Sequence, residues 1–225
     1  PDADISMQSD WLGLKAGLFG LLRDFDAADE LIAKAEALTP ESPWLWVEKA
    51  SIFESEDRYD DAVAAAQHSL KLRPFYRPAI QSLAHLLAIL DREAEACALL
   101  EDAVKNLECL PLLIQLAQLQ VDVGDFQAAR QNFERALQLS SLLEPEMREW
   151  LNGRLAEAAY LCGDKNKAVE LFNQAGDGFY KTIAERLAKA TEDQKRILLP
   201  VGFIRQHHVT CAPATLTTIS RFWQM

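Results

Sequence analysis

Residues 43–74, PWLWVEKASIFESEDRYDDAVAAAQHSLKLRP, contain the pattern that decides the fold. Apolar residues recur every three or four positions on both sides of Asp57-Arg58, which is typical of two amphipathic helices joined by a turn. Pro74 ends the second helix, because proline cannot continue a helical hydrogen-bond pattern. Small residues occupy the positions where the two helices would approach most closely: Ala50, Ala62 and Ser69. The stretch therefore predicts a helical hairpin.

The same layout returns before and after this stretch. Pro40 and Pro74 lie 34 residues apart, and a fixed period of this size indicates a solenoid of stacked hairpins. Successive hairpins begin near Ser9, Pro43, Arg77, Leu110 and Glu149. The last step is the longest, and we expect an extended helix or a loop at Leu139–Met147. A further amphipathic run, Phe179–Thr191, is expected to cap the array, since a terminal unit needs a polar outer face.

The turn sequences strengthen this interpretation. Asp57-Arg58-Tyr59 and Gly124-Asp125-Phe126 are each followed three residues later by alanine, whereas Asp91-Arg92-Glu93 lacks the aromatic residue and Lys165 replaces it in the fifth unit. Over residues 9–175 the chain resembles the tetratricopeptide repeat. The resemblance implies an all-α, right-handed superhelical solenoid of about five helix-turn-helix repeats, with a capping helix and a short C-terminal segment.

The resemblance also implies a domain organisation and a function. We expect an N-terminal lead-in at 1–8, a repeat array with its capping helix at 9–191, and at 192–225 a connector followed by the truncated start of a second domain. In this family the first helices of the repeats line a concave groove. The leading function is therefore a scaffold module that binds a protein or peptide partner for a larger protein.

Composition excludes several other classes of protein. The net charge is −11 and no Lys/Arg cluster is present, so nucleic acid is not an expected partner. No apolar run reaches the roughly 18 residues of a membrane span. The four cysteines have no CxxC spacing, so we expect no metal site, no cofactor and a reducing, cytoplasmic location. The acidity either keeps the protein soluble or favours basic peptides.

Groove-facing positions follow from the resemblance. They are Gly13, Gly17, Gly20, Trp44, Val47, Ser51, Gln81, His85, Ile114, Gln118, Trp150, Gly153 and Glu157. The residues predicted to contact a partner are Trp44, Val47, Gln81, His85, Ile114, Gln118, Trp150 and Glu157. The Lys and Asn that clamp a chaperone's C-terminal carboxylate in some family members are absent at these positions, so that function is not expected.

Three points in this set have alternative interpretations. Trp44 and Trp150 either anchor a peptide, as aromatic hot spots do, or pack against neighbouring repeats. His85 is either a ligand-contacting residue or an ordinary polar surface residue. Gly13, Gly17 and Gly20 share one helix face, and each costs about 1 kcal/mol relative to alanine. They indicate either the close approach of a helix or peptide, or an end helix that tolerates them.

The C-terminal residues have a different character. Leu198–Ile204 favours a short extended segment, and Pro213 is suited to the first turn of a helix reaching Trp223. Cys211 would then lie at a helix N-terminus, which favours its thiolate. Residues 201–225 resemble the start of papain-like peptidases that process bacteriocin leaders. The resemblance implies Cys211 as nucleophile and Gln206 as oxyanion donor, with the general base beyond Met225.

This gives the alternative function, the N-terminal part of a bacterial cysteine peptidase that is inactive in this fragment. Cys211 is otherwise an ordinary buried thiol, or a metal ligand together with His207 and His208. The missing initiator Met and the apolar end indicate a piece of a longer protein. The apolar face of the last helix is expected to pack on the last repeat or on a second chain: Val209, Leu216, Ile219, Phe222 and Trp223. Homo-oligomerisation through this helix or the array ends is the third hypothesis.

Overall fold

The computed structural model describes residues 4–139, 142–191 and 211–223, with the side chains of 211–214 excepted. The predicted all-α fold is confirmed, since these residues form helices and connecting turns and contain no strand. The helices are α1 (Ile5–Leu21), α2 (Phe25–Leu38), α3 (Pro43–Ser55), α4 (Tyr59–Leu72), α5 (Arg77–Ile89), α6 (Glu93–Asn106), α7 (Leu110–Asp122), α8 (Phe126–Leu139), α9 (Pro145–Leu161), α10 (Lys165–Gln174), α11 (Phe179–Lys189) and α12 (Cys211–Trp223).

All five hairpins use the same turn. Two residues after the last residue of each first helix, the backbone has a positive φ. These residues are Arg23, Asp57, Asp91, Gly124 and Gly163. The N–H of the next residue then donates to the carbonyl five positions earlier, as Arg58 does to Phe53 at 2.9 Å. This left-handed ending satisfies carbonyls that the helix leaves unpaired, so the chain reverses direction without exposing an unsatisfied backbone.

The residue after each left-handed position directly precedes the second helix. Asp24, Asp125 and Asp164 accept the N–H three residues further on through a side-chain oxygen, at 3.1–3.3 Å. Arg58 and Arg92 make no such cap and instead form ion pairs with the acidic residue three positions on. Both arrangements fix the start of the second helix, so the turn has one length throughout.

Small residues lie at the helix contacts, as the sequence predicts. The alanines that follow each turn are fully buried: Ala28, Ala62, Ala96, Ala129 and Ala168. Ser69 is buried at another such contact, and its hydroxyl donates to the Pro43 carbonyl at 2.7 Å. Alanine at these places lets helix backbones approach closely, and larger side chains such as Leu100 and Phe133 fill the space beside them.

The chain divides into two compact units, Pro1–Leu107 and Glu108–Met225. The first contains three hairpins in which α1 packs on α3 and α3 packs on α5. The second contains the α7–α8 and α9–α10 hairpins, and α11 packs on α10 as the predicted capping helix. The domain boundaries inferred from the sequence stay a prediction.

Some boundaries differ from those expected. Helix α1 begins at Ile5, inside the predicted lead-in, because Asp4 caps it by accepting the Ser6 N–H. The long step at Leu139–Met147 contains both a connection and a lengthened first helix, since α9 begins at Pro145. The extended segment Leu198–Ile204 and the connector at 192–196 lie outside the described residues.

The predicted C-terminal helix is confirmed as α12, beginning at Cys211. The prediction that its apolar face packs on the last repeat is wrong for Leu216, Ile219 and Trp223, which are exposed. Phe222 and Trp223 stack edge to face on each other instead, with ring centroids 5.3 Å apart. Val209 lies outside the described residues, and coverage of this face by a second chain stays a prediction.

Candidate peptide-binding groove

The glycine face of α1 is covered by α3. A Cβ atom at Gly13 would lie 2.9 Å from the Trp44 ring and from a Leu45 methyl group, and one at Gly17 would lie 2.8 Å from the Glu48 carboxylate. At Gly20 the nearest atom would be an Ile52 side-chain carbon at 3.1 Å. Of the two explanations for these glycines, close approach of a helix is therefore the correct one.

The same contacts decide the role of Trp44. Its ring is half-buried and packs against the hydrophobic core shared by α1, α2 and α3. Trp44 thus packs on the preceding repeat, which is the alternative that the sequence left open. Val47 is half-buried one turn further along α3.

The two predicted groove residues of α5 lie beside the second hairpin. His85 is exposed, and its Nε2 lies 2.8 Å from a carboxylate oxygen of Glu54 on α3. Gln81 is half-buried one turn earlier. His85 therefore has a hydrogen-bond partner on the surface of its own unit, as expected for a polar surface residue.

In the second unit, Gly153 is covered by the capping helix. A Cβ at this position would collide with the Tyr180 ring, which stacks on Phe172 with centroids 5.7 Å apart. Trp150 is half-buried, and the Arg154 guanidinium lies 5.7 Å from its ring centroid. The Gly153–Tyr180 contact packs α9 against the capping helix. The Trp150–Arg154 contact lies within α9 and places the guanidinium beside the ring.

A pocket lies between α7 and α9. Its volume is about 300 Å³, and its lining residues are Gln118, Val121, Asp122, Phe133, Arg154 and Glu157. Two of the predicted partner-binding residues, Gln118 and Glu157, are thus brought together in one cavity. Ile114 lies one turn before Gln118 on α7 and is half-buried. Phe133 of α8 also lines the pocket, although its side chain is almost completely buried.

The pocket exists because α7 and α9 do not pack closely. The tightly packed helix pairs of this unit are α7–α8, α8–α9, α9–α10 and α10–α11. On α7, Ile114, Gln118 and Val121 occupy the register positions of the three glycines of α1, so this face of α7 carries larger side chains. The longer connection between α8 and α9 accommodates this separation.

The electrostatics of the pocket combine acid and base. A carboxylate oxygen of Glu157 accepts a hydrogen bond from Arg154 Nη1 at 2.9 Å. Burial raises the pKa of Glu157, and the nearby Arg154 charge partly opposes that rise. Arg154 Nε is buried without a hydrogen-bond partner, and Asp122 adds a second carboxylate. The Glu157 carboxylate in this pocket can accept a hydrogen bond from a cationic group.

The sequence did not identify Val121, Asp122 and Arg154 as site residues. Val121 and Asp122 lie one helical turn after Gln118, and Arg154 lies three residues before Glu157. Extending each predicted face by one turn would have found them, because residues three and four apart share a helix face.

The other predicted site lies largely outside the described residues. Gln206 belongs to the segment 192–210, and the side chain of Cys211 is not described, although the residue does begin α12 as expected. In the described parts of the chain, no group of three or more His, Cys, Asp or Glu residues is arranged to hold a metal ion. Over the same parts, no helix has the length and hydropathy needed to cross a membrane.

Comparison with known proteins agrees with this geometry. A family model described as Tetratricopeptide repeat matches residues 45–76 and 110–141, which carry the α3–α4 and α7–α8 hairpins. These two segments are tetratricopeptide repeats. A search of curated proteins gives no significant match.

Solved structures show the same helical-repeat fold. YrrB, described as "a TPR protein with an unusual peptide-binding site", has a TM-score of 0.57 at 16% identity, covering 77% of this chain and 88% of that one. The MamA protein has a TM-score of 0.60 at 16% identity, covering 86% of this chain and 98% of that one. PilF of Pseudomonas aeruginosa has a TM-score of 0.60 at 16% identity, covering 81% of this chain and 82% of that one. The predicted fold of stacked helix-turn-helix repeats is thus confirmed.

Proposed function

We propose that the chain is a scaffold that binds an extended peptide segment of a protein partner, and that a basic side chain of this peptide enters the α7–α9 pocket. The observation that carries the proposal is the pocket itself, where Gln118 and Glu157 meet between two first helices. YrrB, similar in fold, is described by its peptide-binding site, which supports a peptide as the class of partner.

The choice of a basic side chain follows from the balance of charge. Asp122 and Glu157 line the pocket together with a single cation, Arg154. An ammonium or guanidinium group placed beside the Glu157 carboxylate would make a charge-assisted hydrogen bond there. It would also remove the cost of holding Glu157 ionised in a partly buried site, where burial raises its pKa.

The other predicted partner-binding residues contribute less in this proposal. Val47, Gln81 and His85 lie in the first unit, where Trp44 packs on the preceding repeat and His85 pairs with Glu54. In the second unit, Ile114 and Trp150 flank the pocket residues on α7 and α9. We propose that these two contact the peptide next to the basic side chain.

The test is fluorescence anisotropy with short labelled peptides that differ only at a central Lys, Arg, norleucine or Glu. We expect the Lys and Arg peptides to bind at least about 10-fold more tightly than the norleucine peptide, since a charged hydrogen bond contributes about 1.5–3 kcal/mol. Glu157→Gln should remove this preference. Glu170→Gln, an exposed change of the same charge on α10, is the matched control and should retain it.

Equal affinity for all four peptides, with no effect of Glu157→Gln, would contradict the choice of a basic side chain. If the Glu peptide bound most tightly and this preference required Arg154, the pocket would bind an acidic side chain instead of a basic one.

A second candidate function rests on α12. Cys211 is its first residue, so the peptide N–H groups of the first helical turn favour a thiolate there. In this alternative Cys211 attacks a peptide carbonyl and Gln206 holds the oxyanion. The test compares alkylation rates of the individual cysteines at mildly acidic pH by mass spectrometry. Cys211 should react fastest, and a rate equal to that of Cys97, Cys109 and Cys162 would exclude an activated nucleophile.

A further inference from the structure

The outer face of α1 is apolar and uncovered. Five side chains along it are between 54 and 76% exposed. We call this set the α1 seam: Met7, Trp11, Leu14, Leu18 and Leu21. The opposite side of the same helix is buried in the hairpin through Ser9, Gly13, Ala16 and Gly20. Helix α1 is therefore apolar on both sides, which is typical of a helix with neighbours on both sides.

The repeat itself shows what kind of surface this is. Leu45 and Ile52 lie 34 residues after Trp11 and Leu18, and both are buried against α1 through Gly13 and Gly20. Trp11 and Leu18 of the α1 seam thus occupy the positions that α3 buries against a neighbouring helix.

The spacing of the seam identifies the geometry of its partner. The five residues follow one another at intervals of four, three, four and three, which is the a/d pattern of a coiled coil. Such a stripe packs on another helix with the same stripe, knobs into holes. This makes the seam self-complementary, because a second copy of α1 presents the same apolar row.

The charges beside the seam specify an orientation. Asp10 occupies the g position of one heptad and Lys15 the e position of the next, and both are exposed. In a parallel pair, the g residue of one helix faces the e residue of the following heptad on its partner. Asp10 of each copy would then lie beside Lys15 of the other. An antiparallel pair would instead bring g positions beside g positions and e positions beside e positions, so Asp10 would not face Lys15.

We propose that two copies of this chain associate through the α1 seam as a parallel helix pair. The interface consists of the five apolar residues, flanked on each side by an ion pair between Asp10 and Lys15. It does not involve the residues that line the α7–α9 pocket.

Sedimentation equilibrium over the micromolar range tests the proposal directly. The wild-type chain should give twice the mass of the 25.2 kDa monomer. Leu14→Glu and Leu18→Glu should give the monomer mass with unchanged helical circular dichroism, because both side chains are exposed in the single chain. Leu142→Glu is the matched control, since this leucine is 96% exposed and lies far from the seam in sequence, so the dimer should persist.

Charge reversal tests the orientation. Asp10→Lys and Lys15→Asp should each raise the dimer dissociation constant several-fold, and the double variant should return it to the wild-type value. A wild-type chain that stays monomeric, or a dimer that survives Leu14→Glu, would overturn the proposal. Failure of the double variant to restore association would overturn the parallel arrangement.

Discussion

The α1–α3 and α7–α9 interfaces occupy equivalent places in their own units, yet one is closed and the other is open. At α1–α3, glycines let the two first helices meet, and the side chains of α3 fill the space. At α7–α9, Ile114, Gln118 and Val121 replace those glycines, and a pocket of about 300 Å³ remains. Glycines on one helix face thus accompany a closed contact in the first unit, whereas larger side chains at the same positions line an open pocket in the second.

The largest expected effect lies in the contact that both units share, within each hairpin. Ala62 and Ala129 are equivalent and fully buried. We expect Ala62→Leu and Ala129→Leu each to lower the free energy of unfolding by about 1–3 kcal/mol, because the extra volume overpacks a close helix contact. Urea denaturation followed by circular dichroism measures this. A loss at only one of the two sites would mean that the hairpins are not built alike.

The next prediction separates the two interfaces directly. Gly13→Leu should lower the free energy of unfolding by about 1–2 kcal/mol, since overpacking against Trp44 and Leu45 outweighs the gain in helix propensity. Gln118→Leu should change it by less than about 0.5 kcal/mol, because this side chain is exposed and lines the open pocket. Equal losses in the same urea experiment would show that α7 and α9 are as tightly packed as α1 and α3.

The hairpin turns offer a smaller contrast. The first unit uses Arg23, Asp57 and Asp91 at the left-handed position, whereas the second uses Gly124 and Gly163. A left-handed conformation costs a residue with a Cβ about 1 kcal/mol or more. Asp91→Gly should therefore stabilise by up to about 1 kcal/mol, and Gly124→Ala should destabilise by about as much. No neighbouring atom lies within 4 Å of a Cβ at Gly124, so the change measures backbone strain alone.

Thermal denaturation of the two variants and the wild type measures these changes in stability. Melting temperatures that move in the same direction for Asp91→Gly and Gly124→Ala would contradict the assignment of the left-handed turn.

The smallest effect concerns a carboxylate in each interface. Burial raises the pKa of Glu48 above its ordinary value of 4.5. The folded state then binds a proton more readily than the unfolded state, so stability falls as pH rises from 4.5 through the folded pKa. Glu48→Gln should therefore stabilise at pH 7, by less than about 1 kcal/mol because solvent still screens the group, and this gain should vanish below about pH 4.

Glu157 provides the comparison for that pH series. Its pKa is also raised by burial, but Arg154 opposes the rise and pairs with it. Glu157→Gln should therefore stabilise less than Glu48→Gln at pH 7. Urea midpoints between pH 4 and 8 compare the two variants, and a larger gain for Glu157→Gln would contradict the role of Arg154.

Local pattern was sufficient to predict the hairpins. The 34-residue period, the turn sequences and the alanines after each turn are short-range features, and each predicted a helix, a turn or a buried contact that the structure contains. The glycines of α1 could not be interpreted from sequence, because a glycine face accommodates a helix or a peptide equally well. Only the position of Leu45 and Trp44 decides between them.

The pocket required three-dimensional information. Gln118 and Glu157 were predicted as groove residues, but their meeting depends on how far apart α7 and α9 lie. The separation of α7 and α9 is not marked by any repeating pattern in the sequence, so it could not be predicted. The uncovered face of α12 is similar, since an amphipathic pattern predicts an apolar face without indicating what covers it.

The most direct test of the central claim is a backbone amide chemical-shift titration of the chain with the Lys peptide. The account predicts shift changes concentrated on α7 and α9 around Gln118 and Glu157, with the α1–α3 contact unchanged. Changes centred on α1 and α3, or a uniform absence of changes at saturating peptide, would contradict it.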